Sequence, residues 1–126
     1  MAEPSVTILV VDDQPVFCGL VREMLAPSPE FQVVGEAHDG GDALRLVEEL
    51  QPQAVLLDVE MPGLHGLKVA SEIHVRFPHV SVVLMSAYHQ REYREAALRS
   101  GASDFIPKME LSVERLRRAF GLENPP

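Results

Sequence analysis

The stretch AVLLDVEMPGLHG, residues 54–66, decides the fold. Four apolar residues run without a break into an acid, Asp58. A short apolar run with no polar alternation reads as a strand buried on both faces, as in a parallel sheet covered by helices. Glu60, Pro62, Gly63 and Gly66 follow and read as a turn. A carboxylate therefore stands at the carboxyl end of a core strand, where an isolated charge is costly unless it is paired or ligated.

Working outward, the same alternation of strand and helix recurs. VTILVV, residues 6–11, is a β-branched run that predicts a first strand, and Pro15 is well placed near a helix start. Val16, Phe17, Leu20, Val21, Met24 and Leu25 then recur at helical spacing, until Pro27 and Pro29 stop the pattern. FQVVGEA, residues 31–37, is a second strand; Gly40 and Gly41 mark a turn; Ala43, Leu44, Val47 and Leu50 line a second helix closed by Pro52. Beyond the third strand, Leu67, Val69, Ala70 and Ile73 pattern a helix closed by Pro78. VSVVLMS, residues 80–86, is a fourth strand, and residues 90–100 form a polar helix stopped by Gly101. SDFI, residues 103–106, is a short fifth strand, and Leu111, Val113, Leu116, Ala119 and Phe120 pattern a last helix ended by Gly121. Five strands, each followed by a helix, predict an α/β domain: a five-stranded parallel sheet of order 2-1-3-4-5 with helices on both faces, the flavodoxin-like arrangement. The domain spans 6–122, between tails at 1–5 and 123–126, the second a tail or the start of a linker.

Composition narrows the function. With 126 residues and 46 % hydrophobic content, the chain can bury a core without staples. A net charge of −8 repels nucleic acid, so contact with DNA or RNA by this domain alone is not expected. Cys18 is the single cysteine, so no intrachain disulfide can form and a reducing compartment suits the chain. No apolar run approaches the roughly 18 residues of a membrane span, and a cytoplasmic domain is expected.

In the predicted order, the first and third strands are neighbours. Asp12 and Asp13 end one and Asp58 ends the other, so three acids share one rim; Ser86 ends the fourth strand and Lys108 follows the fifth at the same rim. Two like charges 4 Å apart repel by about 4 kcal/mol at an effective dielectric of 20. Either one acid is protonated or a cation sits among them. A hard divalent ion fits the oxygen donors best: Mg²⁺, or Mn²⁺, which takes one or two carboxylates plus phosphate. Metal, ammonium and hydroxyl together would stabilise a transferring phosphoryl group. The nucleophile is then a carboxylate, and Asp58 is the best placed. Asp12 and Asp13, with Asp58 beside them, are assigned to the metal, and the backbone carbonyl of Glu60 is a further candidate ligand.

The motifs VVDD, LLDVEMPGLHG, LMSA and FIPK, in this order and at these separations, resemble those of two-component response-regulator receiver domains over about residues 6–120. FQVVGEAHDGGDAL is similar to receivers that precede a LuxR-type helix-turn-helix. The resemblance implies that Asp58 is phosphorylated by a sensor histidine kinase or a phosphotransfer protein, that Asp12 and Asp13 hold Mg²⁺, that Lys108 contacts the phosphoryl group, and that the Ser86 hydroxyl bonds to it. Phe105 stands at the switch aromatic, and the face made by the fourth helix, fifth strand and fifth helix would change and commonly forms a homodimer. Glu60 and Tyr88, each two residues past a site residue, stand where the resemblance implies tuning of phosphoryl loss. The chain departs from the family where Lys108 is usually followed by Pro: here Met109 follows and Pro107 precedes, which leaves open the geometry of that loop and whether any bond in it is cis. Phe105 also lacks the hydroxyl of the more usual Tyr.

Taken singly, each residue has a plainer reading. Asp13 could cap the first helix, Asp58 could cap a turn, Ser86 could be a strand-end hydroxyl, Lys108 a solvated lysine and Phe105 a passive core aromatic. The five histidines, 38, 65, 74, 79 and 89, show no ligand spacing and read as surface residues. ERLRRAF, residues 114–120, reads as a solvated helix face able to carry dimer salt bridges. The competing functions are a pseudo-receiver that acts unphosphorylated and, less favoured, an Asp-nucleophile phosphatase; the latter would carry a second acid two residues past a nucleophile on the first strand. The signalling switch, which would catalyse only its own phosphorylation and dephosphorylation, is the leading reading. Its output is expected to be transcriptional and to lie in a partner or in a further segment.

Overall fold

In the three central strands, side chains alternate between two apolar layers, which is why their sequences show no polar alternation. A computed structural model describes residues 5–88 and 90–122. Its elements are β1 (Val6–Val11), α1 (Pro15–Leu25), β2 (Phe31–Ala37), α2 (Gly40–Leu50), β3 (Ala54–Asp58), α3 (Gly66–Arg76), β4 (Ser81–Ser86), α4 (Gln90–Arg99), β5 (Asp104–Pro107) and α5 (Val113–Ala119), with a 3₁₀ turn at Lys108–Glu110. All neighbouring strands pair in parallel, in the order β2-β1-β3-β4-β5.

Leu9, Val11, Val55, Leu57, Val82, Leu84 and Phe105 face one layer, closed by Ala43 and Val47 of α2, Val69 and Ile73 of α3 and Ala97 of α4. Ile8, Val10, Leu56, Val83, Met85 and Ile106 face the other, closed by Cys18, Val21 and Leu25 of α1 and Leu116 and Ala119 of α5. Burying each Val, Leu or Ile side chain contributes about 1.5–3 kcal/mol, so the two layers dominate the stability of the sheet. Cys18 is a small packed residue, as its place on the first helix predicts.

Local chemistry sets the helix ends. The Asp39 side chain accepts the Asp42 N–H at 2.8 Å and caps α2. Gly40 and Gly41, expected as a turn, instead form the first residues of α2. A Cβ on Gly40 would lie 2.7 Å from the Leu64 Cβ, so the glycine allows the helix start to close on the loop before α3. Gln14, not Asp13, is the cap residue of α1, and no side chain bonds there, which removes the plain capping reading of Asp13. Pro107 belongs to β5, one residue beyond the expected end of that strand. As β5 is an edge strand, the missing proline N–H costs it no ladder bond that a central strand would need. The ammonium-bearing residue then opens a 3₁₀ turn in place of running straight into the last helix. Every peptide bond among the described residues is trans, including those around Pro107 and Lys108.

Of the histidines, His38, His74 and His79 are exposed as expected, and His89 lies outside the described residues, as do residues 1–4 of the first tail and all of the second, 123–126. His65 corrects the surface reading: it is partly buried, its Nδ1 accepts the Leu67 N–H at 3.2 Å to cap α3, and its ring lies 5.8 Å from that of Tyr93. In the basic run, Arg115 pairs with Asp104 at 2.9 Å and Arg117 with Glu30 at 3.1 Å, both inside the chain. No helix among the described residues is long and apolar enough to cross a membrane.

Candidate functional site

The register of the sheet assembles the site. Val11 pairs with Leu57 across β1 and β3, so the next residues along, Asp12 and Asp58, leave the sheet side by side. Asp58 pairs with Met85 of β4, which sets Ser86 one step beyond, and Ser86 pairs with Pro107, which sets Lys108 next to the same rim. The turn after β3 stays tight because Gly66 leaves no room for a Cβ against the Asp58 carbonyl, while its own N–H donates to the Val59 carbonyl at 3.0 Å. That close approach accounts for the second glycine of the opening stretch.

Asp12, Asp13 and Asp58 bring carboxylate oxygens within 4.8 Å of one another. Asp12 and Asp58 are buried at 0 % and 3 % exposure, and Asp13 is partly buried. Lys108 Nζ lies 2.7 Å from Asp12 Oδ2 and 3.5 Å from Asp58 Oδ2. It also sits over the Phe17 ring, 4.3 Å from its centroid. Asp12 Oδ1 accepts the Gln14 N–H at 2.9 Å, and the Asp12 carbonyl lies 3.0 Å from His38 Nδ1. Asp58 Oδ1 accepts the Glu60 N–H at 3.2 Å.

Burial, and then the Asp12 charge, push the Asp58 carboxyl up to about 6, against the pull of the Lys108 ammonium and the Glu60 N–H. Burial works against the Lys108 ammonium, but the Asp12 and Asp58 carboxylates outweigh it and hold its pKa above the usual lysine value. One ammonium among three carboxylates leaves an excess of negative charge in a largely dry site. Asp12 Oδ2 is buried and, apart from its ion pair with Lys108, accepts no hydrogen bond among the described residues. An all-oxygen, under-neutralised set of this kind fits a hard divalent cation.

Ser86 is fully buried. Its hydroxyl lies 2.8 Å from Glu60 Oε1 and also touches the Tyr88 carbonyl. The Tyr88 N–H points back at Ser86 Oγ, 3.1 Å, and at Glu60 Oε1, 3.3 Å. The Tyr88 side chain is exposed. Phe105 is fully buried in the layer under α4, with the Arg94 guanidinium 5.3 Å from its ring centroid. The rim thus gathers Asp12, Asp13, Asp58 and Lys108 in one cluster and Ser86, Glu60 and Tyr88 in a second beside it. Phe105 lies beneath the sheet edge, away from the acids' own contacts. Three contacts were not anticipated from sequence: the Glu60 side chain on Ser86, Phe17 under Lys108, and His38 on the Asp12 carbonyl. Only Phe17 left a signal, its place four residues past Asp13 at the start of a helix.

A family model for the response regulator receiver domain matches residues 8–120. The chain belongs to the response-regulator receiver domain family. It is 33 % identical over 117 residues to the transcriptional regulatory protein DegU of Brevibacillus brevis, covering 93 % of this chain and 49 % of that protein. It is 39 % identical over 111 residues to a protein-glutamate methylesterase/protein-glutamine glutaminase of Pyrococcus horikoshii, covering 86 % of this chain and 30 % of that protein. Among solved structures, the signal receiver domain of the response regulator NarL from Mycobacterium tuberculosis superposes with a TM-score of 0.84 at 35 % identity, over 94 % of this receiver and 99 % of that chain. This receiver thus spans about half or less of the length of these two full-length relatives.

Proposed function

We propose that this receiver accepts a phosphoryl group on Asp58 and relays the change to an output domain or partner. The observation that carries the reading is the meeting of Asp12, Asp13, Asp58 and Lys108 at one rim. An Asp58 carboxylate oxygen attacks phosphorus, the bond from phosphorus to the donor breaks, and the donor leaves with the electron pair. For a sensor histidine kinase or phosphotransfer protein that bond is P–N; for a small acyl phosphate it is P–O. Asp12, Asp13 and Asp58, with the Glu60 carbonyl, would hold Mg²⁺ or Mn²⁺, which would supply positive charge against the carboxylates and the phosphoryl oxygens. Lys108 adds a fixed cation at the same place.

Ser86 then bonds a phosphoryl oxygen, which requires its hydroxyl to leave Glu60 Oε1 and the Tyr88 carbonyl. That exchange pulls on the connection between β4 and α4. Phe105, held under the Arg94 guanidinium, turns into the space released, and the face of α4, β5 and α5 changes. This face is the proposed site of homodimer formation, in a cytoplasmic setting beside the sensor kinase. The match to DegU supports a transcriptional output; the match to a methylesterase makes an enzymatic one the alternative.

Incubation with acetyl phosphate or phosphoramidate and Mg²⁺, followed by intact-mass measurement, tests the reading. One added phosphoryl group, absent from Asp58→Asn, is expected. No gain under any condition would leave the chain an unphosphorylated interaction module.

A further inference from the structure

The loop that carries Lys108 has an unusual support. Pro107 before it belongs to the edge strand, Met109 after it is 88 % exposed, and the Lys108 side chain itself is largely covered. A lysine carries its charge on a flexible four-carbon stem and follows the strongest nearby charge. Here that is Asp12, at 2.7 Å. When the carboxylates are neutralised, that attraction weakens, and the ammonium needs another reason to stay at the rim. The Phe17 ring supplies one. It stands on the first turn of α1, its N–H donating to the Gln14 carbonyl at 3.0 Å, and its centroid lies 4.3 Å from Lys108 Nζ. The ring is partly buried and packs against the layer of α1 and α5. The attraction of an ammonium to an aromatic face does not depend on the charge state of the neighbouring acids.

We propose that Phe17 is a positioning residue for Lys108: its ring holds the ammonium at the rim when the carboxylates no longer do, so that the charge faces the incoming phosphoryl oxygens. The inference rests on the phosphoacceptor reading of Asp58. It makes Phe17, an apparent core residue of the first helix, part of the control of the phosphorylation rate.

The chain has two lysines, Lys68 and Lys108, so protein grown on ¹³C-lysine gives two sets of ε-methylene signals. In the parent, the Lys108 signal is expected upfield, shifted by the ring; Phe17→Tyr keeps that shift, and Phe17→Leu and Phe17→Met lose it. Phosphoryl gain from acetyl phosphate, followed by intact mass with Mg²⁺ present, should be about tenfold slower in the Leu and Met variants, the scale of a partly buried cation–aromatic contact, and close to parental in Tyr. Non-aromatic variants as fast as the parent, or a Tyr variant as slow as Leu, overturn the proposal, the second by showing that only packing matters. Lysine signals that do not respond to loss of the ring overturn the contact itself. A parent that gains no phosphoryl group sinks the phosphoacceptor reading instead, and the positioning role falls with it.

Discussion

Val10 and Leu56 face each other across β1 and β3, both fully buried; two residues further along the same strands, Asp12 and Asp58 are almost as dry. Burial is nearly equal and the chemistry opposite. In the strand interior it contributes stability through apolar contact, roughly 1.5–3 kcal/mol for each such side chain. At the rim it raises the Asp58 carboxyl to about 6, a sign that the ionised form is held at a cost. The gap from the ordinary 3.8 corresponds to roughly 3 kcal/mol. The contrast teaches that the sheet is stabilised by its middle and that its carboxyl edge gives some of that stability up. What makes the edge tolerable is the Lys108 ammonium, and a cation would complete it.

Moving the acid inward should have the largest effect. Leu56→Asp puts a carboxylate where no ammonium reaches it, and should cost more than about 4 kcal/mol or prevent folding, as read by urea denaturation. The next effect is smaller and of opposite sign. Without divalent ions at pH 8, Asp58→Asn should be more stable than the parent by about 2–3 kcal/mol. Between 3.8 and about 6 the folded state holds the Asp58 proton more tightly than the unfolded chain does. The parent therefore loses stability as pH rises through that window, and the penalty is complete above it. The advantage of Asp58→Asn should accordingly shrink at pH 5 and vanish near pH 4, measured by denaturant titration at each pH. The smallest effect concerns the second cluster. The Glu60 side chain bonds Ser86 and the Tyr88 side chain is exposed two residues past it; if they crowd the line of attack by water, the Glu60→Ala, Tyr88→Ala double variant should lose its phosphoryl group several-fold faster than the parent by mass over time, as a barrier of about 1 kcal/mol would give. Loss no faster than the parent would show that neither side chain impedes water.

Much of this contrast was legible in the sequence. Unbroken, β-branched runs such as VTILVV and AVLLD, bounded by turn residues, read as strands covered on both faces, and their order brings the acids at their ends together. The rest depended on reach and close approach, which leave no periodic trace. Gly40 and Gly41 read as a turn because glycine usually breaks helices, yet Gly40 serves the contact with Leu64 inside α2. His65 looked like surface because a cap depends on one local angle and not on spacing. The bond from Ser86 to Glu60 joins residues 26 apart, through a side chain considered only for its backbone carbonyl and its bulk. Lys108 reaches the rim because Pro107 extends the edge strand level with Ser86, one residue past the end its apolar run marks.

The acids of the rim are out of balance until a cation joins them. A ¹³C-carboxyl NMR titration of Asp58, with and without Mg²⁺, tests this most directly. A midpoint of about 6 is expected in the ion-free protein, falling to or below the ordinary 3.8 when Mg²⁺ is added. A midpoint already near 3.8 without the ion, and unmoved by it, would contradict that imbalance.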